Sequence, residues 1–154
     1  MVERALLDYL FEFHATRDYF ECHEILEERW KLDPRTKRKI YWVALIQIAV
    51  GFYHWRRGNL VGANVLLQKG LIKTGHTSHE LEQMGINVDE LLRILTICLD
   101  QVESGQPYES RDIPLNTALA KTYETYCQQA GLPPYQKSDI ADNYLINKHI
   151  LRPR

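Results

Sequence analysis

Residues 40–55, IYWVALIQIAVGFYHW, are apolar on every side of a helical wheel except at Gln47 and His54. A helix with no polar face has nothing to offer water and must be enclosed by other elements. A bilayer is the other home for such a segment, but the run falls short of the ~20 apolar residues that a membrane core requires. Basic residues flank it, Arg35, Lys37, Arg38 and Lys39 before it and Arg56 and Arg57 after it. The sequence therefore predicts an all-α helical bundle, with one buried central helix over about residues 40–57 surrounded by five or six others. No membrane association is expected.

The rest of the chain supplies helices to do the enclosing. Apolar residues at helical spacing predict a first helix over residues 2–14. Asp18 followed by Glu21 is a capping pattern that starts a second helix running to about Trp30. Asp33-Pro34 is a start signal for the central helix, with Asp as the cap and Pro at the first helical position. Gly58 ends that helix, and Asn59 caps a fourth over residues 60–74 after a very short turn. Thr77 with Glu80, and Asn87 with Glu90, predict a short helix ending near Gly85 and a longer one over residues 88–103. Beyond Ser104-Gly105-Gln106-Pro107 the apolar content thins, with a weak helix over 115–129 and a last one over 138–148. Residues 1–105 are expected to form a helical core domain. Residues 106–154 are expected to form an extension packed on that core or on a second subunit.

Composition narrows the function classes. A chain of 154 residues is long enough for one independent core. Its formal net charge of −1 lacks the basic excess of a polyanion binder, so nucleic acid is not an expected partner. Cys22, Cys98 and Cys127 are far apart, odd in number and in no CxxC spacing, which suits free thiols in a reducing cytoplasm. No apolar leader with a cleavage site opens the chain, so no signal peptide is expected. Phosphate-loop, dinucleotide and hydrolase-elbow motifs are absent. No cofactor is implied, apart from a divalent metal under one of the readings below.

The polar exceptions are the lead to function. On the second helix, Tyr19, His23, Leu26 and Trp30 share one side of the wheel, which places His23 in the middle of the inward face and Glu27 on its flank. On the central helix, Gln47 and His54 project from the same side as the small residues Ala44 and Gly51. If the two helices pack, His23 and Glu27 meet Gln47 and His54. That set has three chemical readings. His23, Glu27 and His54 are a reasonable ligand set for zinc, iron or manganese. Glu27 or His23 is a candidate base in a small hydrolase-like enzyme. A buried His/Glu/Gln network that fixes helix packing is the third, and it favours an interaction or scaffold module acting as a homodimer or on a protein partner. Gly51, His54, Gly58, Ala63, Leu67 and Gly70 also fit one tetratricopeptide-like hairpin, without the repeats that such an array needs.

Tyr19-Phe20-Glu21, Cys22-His23-Glu24, Leu26-Glu27 and Trp30 make a first block. Leu45-Ile46-Gln47, Ala49, Tyr53-His54, Gly58-Asn59 and Gly62-Ala63 make a second. Over about residues 11–72 this order and spacing resemble the domain of unknown function family 309, small all-helical bacterial and archaeal proteins. The resemblance implies a bundle around one central helix and no established activity. It places the family's motif on His23, Glu24, Glu27, Trp30, Gln47, His54 and Asn59. Cys22 stands where the family usually has a small residue, and His14 where it usually has Asn.

Overall fold

The computed structural model describes residues 2–139 and 142–151. Among them the chain is all-α, with nine helices: α1 Arg4–His14, α2 Tyr19–Leu32, α3 Ile40–Arg56, α4 Leu60–His76, α5 Ser78–Met84, α6 Val88–Glu103, α7 Thr117–Ala130, α8 Asn143–Ile146 and α9 Lys148–Leu151. The only sheet-like pairing among the described residues is an isolated bridge between Ile86 and Leu115.

The central helix stands where its apolar wheel requires. Trp42, Ala44, Leu45, Ile48, Ala49, Gly51, Phe52, Tyr53 and Trp55 of α3 are all buried; α4 and α2 pack on it, and α1 reaches it through the Tyr9 hydroxyl, which donates to the Leu45 carbonyl at 2.8 Å. Two glycines set the closeness of the α3–α4 hairpin. A Cβ on Gly51 would lie 2.7 Å from the Leu67 side chain, and one on Gly70 would lie 2.9 Å from Ile48 Cγ1 and 3.3 Å from its backbone nitrogen. Gly58 turns the chain between them at φ +83°, a conformation that a side chain resists.

Three local expectations change. Asp33 does not start α3; it ends α2, and its carboxylate pairs with Arg29 at 3.3 Å. Pro34 then heads one turn of 3-10 helix, Arg35–Lys37, and the chain extends through Lys39 before α3 begins. Thr77 does not cap α5 with its side chain, because its hydroxyl donates back to the Lys73 carbonyl at 2.8 Å. The last helix, expected over 138–148, is two short ones from Asn143 onward; residues 140 and 141 lie outside the described residues.

The apolar core runs on across Gly105. Ile113, Leu119, Tyr123 and Cys127 belong to the same buried cluster as Leu6, Tyr9, Leu10 and Phe13 of α1. The connection is polar as well. The Trp55 indole N–H donates to the Gln106 carbonyl at 3.0 Å, and Tyr19 and Tyr108 share a hydroxyl–hydroxyl bond. Arg17, in the left-handed region at φ +55°, sends its guanidinium to the Gln136 and Arg111 carbonyls, both at 2.6 Å, and to Asp112 at 2.5 Å.

Candidate functional site

The register of α2 is set at its first turn, where Asp18 accepts the backbone N–H of Glu21 at 3.1 Å. From there Tyr19, Cys22 and Leu26 face inward with no exposure. His23 follows Cys22 by one residue and is therefore turned by about 100° from that line. The expectation of an inward His23 is corrected accordingly: Cys22 takes the buried place, and the His23 side chain is 31% exposed. The polar group is not a buried network between helices but a cluster on the accessible flank of α2.

On that flank, His23 Nε2 lies 2.7 Å from Glu27 Oε2, one turn on, and Nδ1 lies 3.4 Å from Glu24 Oε1. The Glu24 side chain is 39% exposed and lies beside the imidazole. Lys31 continues the ladder, with Nζ 2.7 Å from Glu27 Oε1. That hydrogen bond, helped by the charges of His23 and Lys31, lowers the Glu27 carboxyl below its usual range. Phe20 packs edge-on to the His23 ring at 5.9 Å. One ligand atom from each of His23, Glu24 and Glu27 lies within 4.8 Å of the others.

The rest of the expected constellation stands elsewhere. Among the described residues no hydrogen bond or ion pair joins His23 or Glu27 to Gln47 or His54. Gln47 Oε1 is buried without a partner. His54 Nδ1 lies 3.4 Å from Asn59 Nδ2, and burial, reinforced by Arg57, lowers its pKa. Asn59 accepts the Gly62 N–H at 3.0 Å and caps α4, and a Cβ at Gly62 would come within 2.6 Å of that capping amide. The block His54, Gly58, Asn59, Gly62 is therefore a turn-and-cap device that starts α4. Trp30 is half-buried under the Arg38 guanidinium, 4.8 Å from its ring, and its indole N–H has no acceptor.

Sequence reasoning passed over two buried polar groups, His14 and Arg17, which are 0% and 3% exposed. Arg17 lies in a break between helices, where a cation reads as solvated. Only the His at a position usually held by Asn pointed to His14.

Residues 6–66 match the model of a family described as "Domain of unknown function (DUF309)". The chain is 41% identical over 155 aligned residues to the "Uncharacterized protein YpuF" of Bacillus subtilis (strain 168), covering 100% of this chain and 89% of that protein. It is also 34% identical over 95 residues to an "Uncharacterized protein" of Aquifex aeolicus (strain VF5), covering 61% of this chain and 28% of that protein. No solved structure matches significantly.

Proposed function

The chain belongs to the DUF309 family, and we propose that it binds a divalent cation on the flank of α2, through His23, Glu24 and Glu27. The observation that carries this reading is the convergence of three ligand atoms within 4.8 Å on an accessible surface. One imidazole nitrogen and two carboxylate oxygens suit zinc, manganese or iron. Three protein ligands also leave coordination positions for water or a substrate, as in catalytic rather than structural sites. His54, the third ligand expected from sequence, has no place in this set.

The same cluster does little for the fold. Exposed i, i+4 pairs such as His23–Glu27 and Glu27–Lys31 contribute roughly 0.2–0.5 kcal/mol each. Lys31 is the internal competitor, and a cation carrying two positive charges displaces it from Glu27 at small cost because that pair is exposed. The test is titration of the purified protein with zinc and manganese by calorimetry, beside elemental analysis, for the parent, His23→Ala and Glu27→Gln. One equivalent of bound metal in the parent, lost in both variants at unchanged melting temperature, supports the site. Equal metal binding in all three sinks it.

A second reading, an interaction module, has an observation of its own. Val61, Val65 and Ile72 are 78%, 43% and 56% exposed on the outward side of α4, while Ala63, Leu67 and Gly70 face inward. The stripe carries the amides Asn64 and Gln68 and, at its edge, the exposed Lys69, so a second copy would meet an apolar centre with a polar rim. Val65→Glu should then turn a dimer into a monomer in analytical ultracentrifugation; a parent that is already monomeric at high concentration removes this reading.

A further inference from the structure

The apolar core takes its last buried side chain from Cys127, and no described side chain of residues 142–151 belongs to it or to the apolar residues packed against it. Helices α8 and α9 are nevertheless docked against the start of α2 and the end of α3, by polar contacts. Arg56 Nη2 donates to the Leu145 carbonyl at 3.2 Å. Lys148 Nζ lies 2.6 Å from Asp18 Oδ2 and 3.4 Å from Glu21 Oε2, with its side chain 11% exposed. His149 stands edge-on to the Tyr53 ring. Its backbone N–H donates to the Tyr53 hydroxyl at 3.0 Å, and its Nδ1 is bonded to the same hydroxyl. A segment docked without burying apolar side chains can leave the bundle without opening the core, because it takes no share of the hydrophobic term.

The Tyr53–His149 pair sets the condition for docking. The Tyr53 oxygen already accepts the His149 amide, and its one proton has no other acceptor among the described residues. That proton goes to Nδ1, which requires a neutral imidazole with its N–H on Nε2. A protonated ring would set a donor against a donor. The charged surroundings add to the penalty. From α3 come His54 and the Arg57 guanidinium, with Arg56 beyond them at Leu145. The carboxylates that α2 brings, Asp18 and Glu21, are taken up by Lys148 of α9 itself. Burial, reinforced by Arg57, lowers the His149 pKa. Lys148 is lowered by burial but raised more by Asp18 and Glu21, so its ammonium stays charged.

We propose that residues 142–151 form a proton-released latch, docked on α2 and α3 while His149 is neutral and opening, with the bundle still folded, when it is protonated. In the open state the ring titrates near its ordinary value of 6.5. Docking is therefore complete above about pH 6.5 and weakens as pH falls below it. Opening bares the Tyr53 hydroxyl and takes Lys148 from Asp18 and Glu21, at the start of the helix that carries the His23 cluster.

The test is amide hydrogen exchange of the full chain at pH 7.5 and 5.5, expressed as protection factors so that the intrinsic pH dependence of exchange cancels. The His149 amide should be less protected than the amides of α3 at both values, and should lose protection by up to about tenfold between them. His149→Asn sets a carbonyl oxygen that does not titrate near the place of Nδ1. Residue 149 should then hold its protection at pH 5.5, while α3 responds to pH as in the parent. Tyr53→Phe should lower the protection of residue 149 at pH 7.5 and remove its pH response. Protection of His149 equal to that of α3, a parent latch indifferent to pH, or an Asn variant with the parent's slope overturns the proposal, and none of these depends on Tyr53→Phe folding.

Discussion

His14 Nε2 accepts the backbone N–H of Ile113 at 2.8 Å, across 99 positions of sequence. The acceptor role leaves the other ring nitrogen as the N–H, and Nδ1 is buried without a partner. The end of α1 is thereby bonded to the chain beyond residue 105 by a histidine that works only when neutral.

Burial, with the Arg17 charge added, lowers the His14 pKa to about 3. As pH falls, the unfolded chain takes up this proton first, near its ordinary value of 6.5. The stabilisation is therefore complete above about pH 6.5 and is lost progressively toward about pH 3. Urea denaturation at pH 7, 6 and 5 should show falling stability, and His14→Gln should flatten that slope. His54 and His149 are lowered too, so some slope should remain. A parent whose stability does not change across this window contradicts the assignment.

Removing residues 106–154 should cost far more than solubility. It uncovers His14, Trp55 and Tyr19 and deprives the Arg17 guanidinium of three acceptors. It also takes Ile113, Leu119, Tyr123 and Cys127 out of the common core, and burial of one large apolar side chain stabilises by ~1.5–3 kcal/mol, against a total domain stability of ~5–15 kcal/mol. Circular dichroism of the truncated chain should show lost cooperativity or unfolding. Arg17→Ala in the full chain should lower stability in the same direction by a smaller amount.

The α3–α4 crossing predicts opposite signs for two glycine substitutions on one helix. Gly70→Ala pushes a methyl against Ile48, including its backbone, and should destabilise by ~1–3 kcal/mol. Gly75→Ala meets nothing within 4 Å, and should stabilise by ~0.5–1 kcal/mol through helix propensity. Thermal melts of the two variants give the comparison directly.

Cys22 stands beside the motif histidine, yet it should not behave as a nucleophile. It is fully buried, and burial raises its thiol well above the ordinary value. Cys98 and Cys127 are buried and free as well. A thiol reagent should leave all three unmodified in the native chain and label them on denaturation. Fast labelling of Cys22 in the folded state would require a reactive role for it.

What the sequence determined by itself was whatever local interactions decide. An all-round apolar run had to become the buried centre, since no tertiary arrangement can give it a polar face to expose. Asp18, Asn59 and Asn87 accept the N–H three residues on, because a cap and its helix start are covalent neighbours. The small residues of the α3–α4 hairpin were legible for a similar reason: close approach has no other inexpensive solution.

The tertiary structure alone decided the candidate site. Cys22 and His23 differ by one step of helical rotation, and both fit an inward face on a wheel; packing of α2 in the bundle chose the cysteine, whose thiol donates to the Tyr9 carbonyl of α1 at 3.5 Å, and left the histidine with Glu24 and Glu27. The Asp33-Pro34 signal was satisfied by a single 3-10 turn because Arg29 drew Asp33 into the end of α2. His14, Arg17 and Lys148 take their partners from segments distant in sequence. No periodicity encodes a contact across such separations, since it forms only when the intervening helices have folded back.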